Sequence, residues 1–318
     1  MMRGIYIRVP GSIGNVGPGF DTFGLAVGLY LHVWAQPAAK PQWTFHGEDA
    51  DRLAASETHR IATAMAHAAA AWNVELPVLA IRVWNELPVE RGLGGSGAAA
   101  LAGIALVAAF RRRARKPRPD WLDLAIAMEG HADNVAASFY GGLTVSGCRQ
   151  NGTWWTRSVY VGRIRPVLLI WPPWSMATET MRAVLPAHYP RDVVVRQLQI
   201  ACGLILALDH PHAWPPPDLL DDALQMPYRL QHMPDAARII RTARARGMPA
   251  VLSGAGPTVA VFPRSRQQAR EFIQLLQRDG QYARWRWRLT RVSGHGMHLE
   301  SRTRPPRIRT STLCAPHL

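Results

Sequence analysis

The sequence predicts an α+β fold in two domains, and three observations carry that expectation. Runs with the period-two pattern of strands are mixed with runs of helical period, without the steady βαβα alternation of a doubly wound sheet. The texture changes near residue 160, where "RPVLLIWPP" opens a second set of elements. Three glycine-rich turns, at 10–24, 88–99 and 252–258, each join strongly apolar segments. A chain of 318 residues is long enough for two ordinary cores. Its 48% hydrophobic and 19% charged residues belong to a folded chain, not a disordered one. The expected bounds are 1–160 for the first domain, 161–300 for the second and 301–318 for a basic, flexible tail.

In chain order, "IYIRVP" and "LAVGLYLHVWAQP" are strands around the first glycine turn. "THRIATAMAHAAAAWN" is a helix, and "VLAIRVWNELP" a strand that stops at Pro88. An uncharged helix follows the second turn. "WLDLAIAMEG" and "DNVAASFYG" are two short helices split by Gly130, and "GGLTVSGC" and "WTRSVYV" two strands. The second set holds the core strand "RPVLLIWPP", helices at "TETMRAVLP", "RDVVVRQLQIACGLILALDH" and "DAARIIRTARARG", and a proline-rich loop "HAWPPPD". The strand pair "AVLSGAGPTVAVF" and the helix "SRQQAREFIQLLQRDG" come next. In "RWRWRLTR" the period is two: Trp285, Trp287 and Leu289 share one face and the arginines the other. That spacing predicts a half-buried strand rather than a nucleic-acid face.

Three runs hold 14 of the 37 Lys and Arg residues behind the net charge of +15. They are expected to be solvated surfaces, not a nucleic-acid or membrane site. Cys148, Cys202 and Cys314 lie too far apart for a zinc or disulfide framework, which fits a reducing cytoplasm. "DHPH", with Asp209, His210 and His212, has no further ligand cluster and is expected to be a solvated loop. From Gly92 to Phe110 nineteen residues carry no charge. A membrane span needs about 20 predominantly apolar residues. This run opens on glycines and a serine and continues mostly as alanine, so it predicts a helix buried in protein.

The second turn bears most on chemistry. Gly92, Gly94, Gly95 and Gly97 surround Ser96, and an apolar helix follows. Free N–H groups at a helix N-terminus, with the helix dipole, bind anions such as phosphate. A tight turn that merely enters a buried helix has the same composition. Neither the Walker spacing nor a clear dinucleotide fingerprint is present.

Together the turns resemble the three motifs of the GHMP small-molecule kinases, in order, from about Ile5 to about Phe262. "VPGSIGNVGPGFDTFGLAV" is similar to the first motif, "LPVERGLGGSGAAALAG" to the second and "LSGAGPTVAVF" to the third. "EGHADNVAASFYGGLTVS", "TETMRAVLP" and "MPYRLQHMP" resemble the homoserine kinases within that family. The resemblance implies an N-terminal α+β domain like that of ribosomal protein S5 and a C-terminal ferredoxin-like domain, with the site between them. It implies transfer of the ATP γ-phosphoryl group to the side-chain hydroxyl of L-homoserine, a step of threonine biosynthesis, in a homodimer. By resemblance, Pro88, Val89, Glu90, Arg91, Gly92, Leu93, Gly94, Gly95, Ser96, Gly97 and Ala98 form the ATP loop. Ser96 and Glu129 are the implied magnesium ligands. Asn15, Asp21, His131, Arg182 and Arg229 form the amino-acid set, and Ser253, Gly254, Ala255 and Gly256 the third motif. Asn134 would hold the reacting hydroxyl. Asp133 is expected to cap a helix; its rival role is the base, since mevalonate kinases of the same superfamily use an aspartate.

Two departures stand out. Ile13 is apolar where the family tends to serine, which would alter the floor of the substrate pocket. Gly95 replaces one of a usual pair of serines, and Gly97 stands where alanine is common. These leave a kinase for another small alcohol as the alternative. A non-catalytic GHMP-fold or basic nucleic-acid-binding protein is the alternative outside enzymes.

Overall fold

β1 (Gly4–Gly14) and β2 (Phe23–Pro37) form the antiparallel spine of the larger sheet in the computed structural model, which describes residues 4–111, 117–159, 166–208 and 217–308. Their register shifts between Pro10 and Gly11, so that Gly28 and Leu29 of β2 are skipped. Proline offers no N–H to the ladder there, and such bulges bend and re-aim a strand. Beyond the bulge β1 carries Ser12 to Gly14 toward the first glycine turn. β3 (Gln42–Gly47), absent from the expected elements, runs parallel to β4 (Leu79–Asn85). The two are joined through α1 (Ala50–Ala54) and α2 (Arg60–Trp72).

The uncharged run forms α3 (Gly95–Phe110), buried on every side from Ala100 to Ala108. Fully burying a leucine or isoleucine contributes roughly 1.5–3 kcal/mol, and Leu101, Ile104 and Leu106 are all inaccessible. Gly103 lets α2 approach: a Cβ there would lie 2.4 Å from the Ile61 carbonyl oxygen. α3 packs on α2, β1, α4 (Pro119–Glu129) and α5 (Asp133–Tyr140). Gly130 ends α4 in the left-handed conformation, φ +79°, so the chain turns sharply into α5. β5 (Leu143–Cys148) and β6 (Trp154–Val159) pair with each other, and β5 with the start of β2.

The second sheet is antiparallel, in the order β10-β7-β9-β8. Its strands are β7 (Pro166–Trp171), β8 (Ala250–Leu252), β9 (Val259–Val261) and β10 (Arg286–Arg291). Between β7 and β8 lie α6 (Thr178–Ala183), α7 (Arg191–Leu208), α8 (Met226–Arg229) and α9 (Pro234–Arg244); α10 (Arg266–Arg278) connects β9 to β10. That order and connectivity are ferredoxin-like. "RWRWRLTR" supplies β10. Arg286, still partly open to solvent, makes a bidentate ion pair at 2.6 Å with the buried Glu48 of the first domain.

After β10 the chain returns to the first sheet. β11 (His298–Arg302) pairs with β1, covering an edge that would otherwise expose its N–H and C=O groups. Residues 301 and 302 are therefore strand, not tail, and the segment 292–302 lies with the first sheet. Ile308 packs on Tyr6, Trp34 and Trp84, on the outer face of that sheet. The basic run 112–116, "DHPH" at 209–212 and residues 309–318 lie outside the described residues. Among the described residues no helix is long and apolar enough to cross a membrane.

Candidate active site

The open end of α3 is where the second glycine turn delivers the chain. Gly92 and Gly94 have φ of +77° and +67°, a region that glycine enters without a Cβ penalty. A Cβ on Gly92 would lie 2.2 Å from the Ser253 carbonyl oxygen. The Gly94 carbonyl accepts from Ala98 N at 2.9 Å and starts the helix. The N–H groups of Gly95, Ser96 and Gly97 thus have no intrahelical partner. Ser96 is exposed, and its Oγ donates to Glu129 Oε1 at 2.9 Å. Arg60, at the start of α2, pairs with the same oxygen at 2.5 Å and donates to Met128 O at 2.8 Å. Glu129 Oε2 has no partner among the described residues.

Magnesium demands near-octahedral oxygen ligation at about 2.1 Å, which places neighbouring ligands about 3 Å apart. The Ser96–Glu129 spacing of 2.9 Å fits that requirement, and Glu129 has an oxygen to spare. A second group of acidic and imidazole ligands, Asp21, His131 and Asp133, brings its atoms within 4.8 Å of one another. Arg182 and an internal hydrogen bond already engage that group.

The three glycine turns meet. Asn15 Nδ2 donates to Gly254 O at 3.1 Å, and Gly254 N to Gly14 O at 3.1 Å. Ser253 Oγ donates to Gly92 O at 2.6 Å, Thr258 Oγ1 bonds Arg91 O, and Ser12 N donates to Leu93 O at 3.1 Å. The third motif therefore clamps the other two. Ala255 and Gly256 complete its turn, Gly256 at φ +88°. Before α3, Pro88 and Leu93 are buried, Val89 N donates to Asp49, and Glu90 pairs with Arg52. Arg91 donates to Asp49 and to the Pro172 and Pro173 carbonyls, tying the two domains together. What this loop offers a ligand is backbone and Ser96, not those side chains.

Next to the loop stands α5. Asn134 Oδ1 accepts from Ser12 Oγ at 3.0 Å, and a Cβ on Gly94 would sit 3.1 Å from that same oxygen. Asn134 thus stands beside the glycine turn, where a side chain at 94 would press on it. Asp133 is 2% exposed, and its Oδ1 lies 2.5 Å from His131 Nδ1. The cap position of α5 is Ala132, with no side-chain cap bond. Asp133 is the first residue inside the helix and serves His131, which corrects the expected cap. Burial opposes charge on the His131 imidazole, but the hydrogen bond and charge of Asp133 outweigh it and raise its pKa above the ordinary value.

Asp21 has φ +54°, and Asn15 Oδ1 accepts its backbone N–H at 3.0 Å. Its carboxylate takes both Arg182 Nη atoms, at 2.9 and 2.7 Å. The guanidiniums of Arg182 and Arg229 lie 5.7 and 5.5 Å from the Phe20 ring centroid. Arg229 is 2% exposed and donates to Met181 O, Gln225 Oε1 and Gly254 O, while its Nη2 has no acceptor among the described residues. Burial, reinforced by the like charge of Arg182, pushes its pKa down to about 10. Asp222 anchors α8 by accepting the Gln225 and Met226 N–H groups and bonds Gln197 on α7, which in turn donates to Pro18 O.

Residues from four distant stretches therefore converge: Asp21, His131 with Asp133 and Asn134, Arg182, and Arg229. Asn15 joins them indirectly, since both ends of its amide serve Gly254 and Asp21. Ile13 faces away: it is fully buried in the core and does not floor a pocket. The neighbouring hydroxyl, Ser12, is the one that reaches Asn134, and sequence reading missed it along with Arg60 and Phe20. Ser12 alternates with Ile13 on β1, so strand period could have found it.

Residues 59–142 match the profile described as GHMP kinases N terminal domain, and residues 216–280 that of GHMP kinases C terminal. A homoserine kinase of Clavibacter michiganensis subsp. michiganensis is 34% identical over 85% of this chain and 87% of its own. One from Leifsonia xyli subsp. xyli is 34% identical over 82% of this chain and 81% of its own. The crystal structure of a homoserine kinase from Cytophaga hutchinsonii superposes with a TM-score of 0.78 at 21% identity, covering 93% of this chain and 97% of that one. At that identity it speaks for the fold. The chain belongs to the homoserine kinase family of the GHMP kinases.

Proposed function

We propose that the protein transfers the γ-phosphoryl group of ATP to the side-chain hydroxyl of L-homoserine, giving O-phospho-L-homoserine. The observation that carries this reading is the charge pattern beside the glycine turn. Two arginines meet over Phe20, with Asp21, Asp133 and His131 next to them. An amino-acid zwitterion needs both signs, and a simple alcohol would give two neighbouring guanidiniums no carboxylate to bind. Guanidiniums bind a carboxylate through parallel hydrogen bonds, and Arg229 Nη2 is unengaged. Asp21 suits the ammonium. In the free protein Arg182 satisfies Asp21, so the incoming zwitterion exchanges partners with a pair already formed. Asn15 holds Asp21 in place.

With its amino-acid end held there, the acceptor points its hydroxyl toward Asn134, which stands beside Gly94. The ATP phosphates take the free N–H groups of α3, from Gly95 to Gly97. Ser96 and Glu129 would hold magnesium, which when bound neutralises charge on the phosphate oxygens. Asn134, fixed by Ser12, orients the hydroxyl. Phosphoryl transfer passes through a loose transition state that depends on alignment and charge, so positioning dominates. Asp133, beside Asn134 with one oxygen on His131, would be the group to receive the hydroxyl proton. A cytoplasmic homodimer completes the reading. Its test is a coupled ADP-release assay on purified protein. Turnover with homoserine is expected; no turnover with homoserine but turnover with mevalonate would overturn the substrate.

A further inference from the structure

A pocket of about 420 Å³ is walled by Arg8, Pro117, Phe139, Tyr140 and the segment His295–His298, away from the glycine turns. Metabolite sites occupy about 300–1,000 Å³. No acidic side chain among the described residues lines it. Its cation is Arg8, which donates to no acceptor among the described residues; its Nε is buried without a partner. Its guanidinium lies 4.9 Å from the Tyr30 ring centroid. Arg91, Arg182 and Arg244 each have a carboxylate, Asp49, Asp21 and Asp221, whereas Arg8, like Arg288 on β10, has none among the described residues. Glu300, two residues beyond His298 on β11, is taken by Arg302 at 2.6 Å through one oxygen, and its other oxygen lies 3.6 Å from His298 Nε2. A partly desolvated cation without an anion is a cost unless something supplies one.

We propose that this pocket binds a small organic oxyanion, a carboxylate or a phosphate ester on a short apolar body. Arg8 holds the charge, and Phe139, Tyr140 and Met297 surround the body. His295, which is exposed, adds a donor at the mouth.

The position connects the ligand to the transfer site. Phe139 and Tyr140 end α5, and Asp133 and Asn134 begin it, about 9 Å away at 1.5 Å per residue. Met297 N donates to Phe139 O at 3.3 Å, and a Cβ on Gly296 would lie 2.0 Å from that oxygen. With so little clearance, a ligand that moves His295–Met297 moves the end of α5. Occupancy therefore changes the rate of transfer without competing with either substrate. The proposal is independent of which alcohol is phosphorylated.

Calorimetry and crystal soaks of the whole chain, with inorganic phosphate and isobutyrate used separately, test it. Density beside the Arg8 guanidinium with one probe is expected, and which probe it is names the source. Arg8→Gln is expected to weaken that binding at least tenfold and His295→Ala about threefold. Anion binding at the glycine turn persists in both variants. If Arg8→Gln fails to fold, His295→Ala, on an exposed segment, carries the test. An empty pocket with both probes, or binding unaltered in the variants that fold, overturns the proposal.

Discussion

At the open end of α3 the protein presents a ligand with backbone: three free N–H groups, two left-handed glycines, and the single exposed hydroxyl of Ser96. At the other end, around Phe20, it presents charged side chains that are already partnered, with Arg182 on Asp21, His131 on Asp133 and Arg229 on two carbonyls and an amide. Backbone donors are fixed by the fold and tolerate change in neighbouring side chains. Side-chain cations are fixed by one another, so removing one disturbs the rest. The first end is suited to a ligand common to many kinases; the second, on the function proposed above, would tell one acceptor from another.

The largest expected effect tests the second end. Arg229→Ala takes its donors from Gln225 Oε1 and Met181 O, leaves Gly254 O with Asn15 alone, and removes a buried cation. Truncating one partner of a buried, hydrogen-bonded charge contact costs about 2–5 kcal/mol. The KM for homoserine is expected to rise at least 30-fold, with a lower melting temperature, while the KM for ATP moves less than threefold. Equal rises in both Michaelis constants would erase the distinction between the two ends. Next comes Ser96→Ala, which removes the one side chain the glycine turn contributes. Loss of a group that tunes a metal site typically costs about 10–100-fold in activity. That loss is expected in kcat, with homoserine KM within twofold and an unchanged melting curve. A rise in homoserine KM instead would place Ser96 with the acceptor.

How far each end was legible in the sequence follows from the same difference. The glycine turn is contiguous, so Gly92 to Ala98 announces itself by composition and by the uncharged helix behind it. The acceptor end is assembled from residues 15–21, 131–134, 182 and 229, and no periodicity links them. Only likeness to a family collected them, and it could not show that Arg182 already holds Asp21 or that Asn15 is spent on Gly254. Asp133 was misplaced for a related reason. An aspartate opening a helix looks like a cap, and its actual partner, two residues earlier, requires knowing how Gly130 turns the chain. The fold was legible wherever period was clear. β11 was not, because "HLESR" is polar, and it becomes a strand only through the edge of β1 that it covers.

A smaller effect separates charge from packing at His131. Its pKa is raised in the folded protein, so protonated His131 adds stability that is complete below its unfolded pKa of about 6.5. That contribution is lost as pH rises through the folded value. In chemical denaturation, His131→Gln is expected to be less stable than the parent at pH 6, with the gap narrowing at pH 9. A gap of equal size at both pH values would mean that the imidazole acts by shape alone.

The smallest change sharpens the backbone end, and it is a gain. Gly95 stands where the likeness to the second motif implies a serine. Its φ is not in the left-handed region, and a Cβ there would meet only Leu87 Cβ, at 3.9 Å. The turn therefore does not require glycine at 95 as it does at 92 and 94. Gly97 differs: a Cβ there would press on Val135 Cγ2 at 3.1 Å, so alanine at 97 needs Val135 to yield. A serine at 95 adds one hydroxyl to the rim of the phosphate site at no steric cost. One hydrogen bond contributes about 1 kcal/mol net, roughly fivefold in affinity. Gly95→Ser is expected to lower the KM for ATP about fivefold and leave that for homoserine unchanged, whereas Gly97→Ala is neutral or harmful. If Gly95→Ser leaves ATP binding untouched, the backbone N–H groups alone saturate the phosphates and the missing hydroxyl costs this protein nothing.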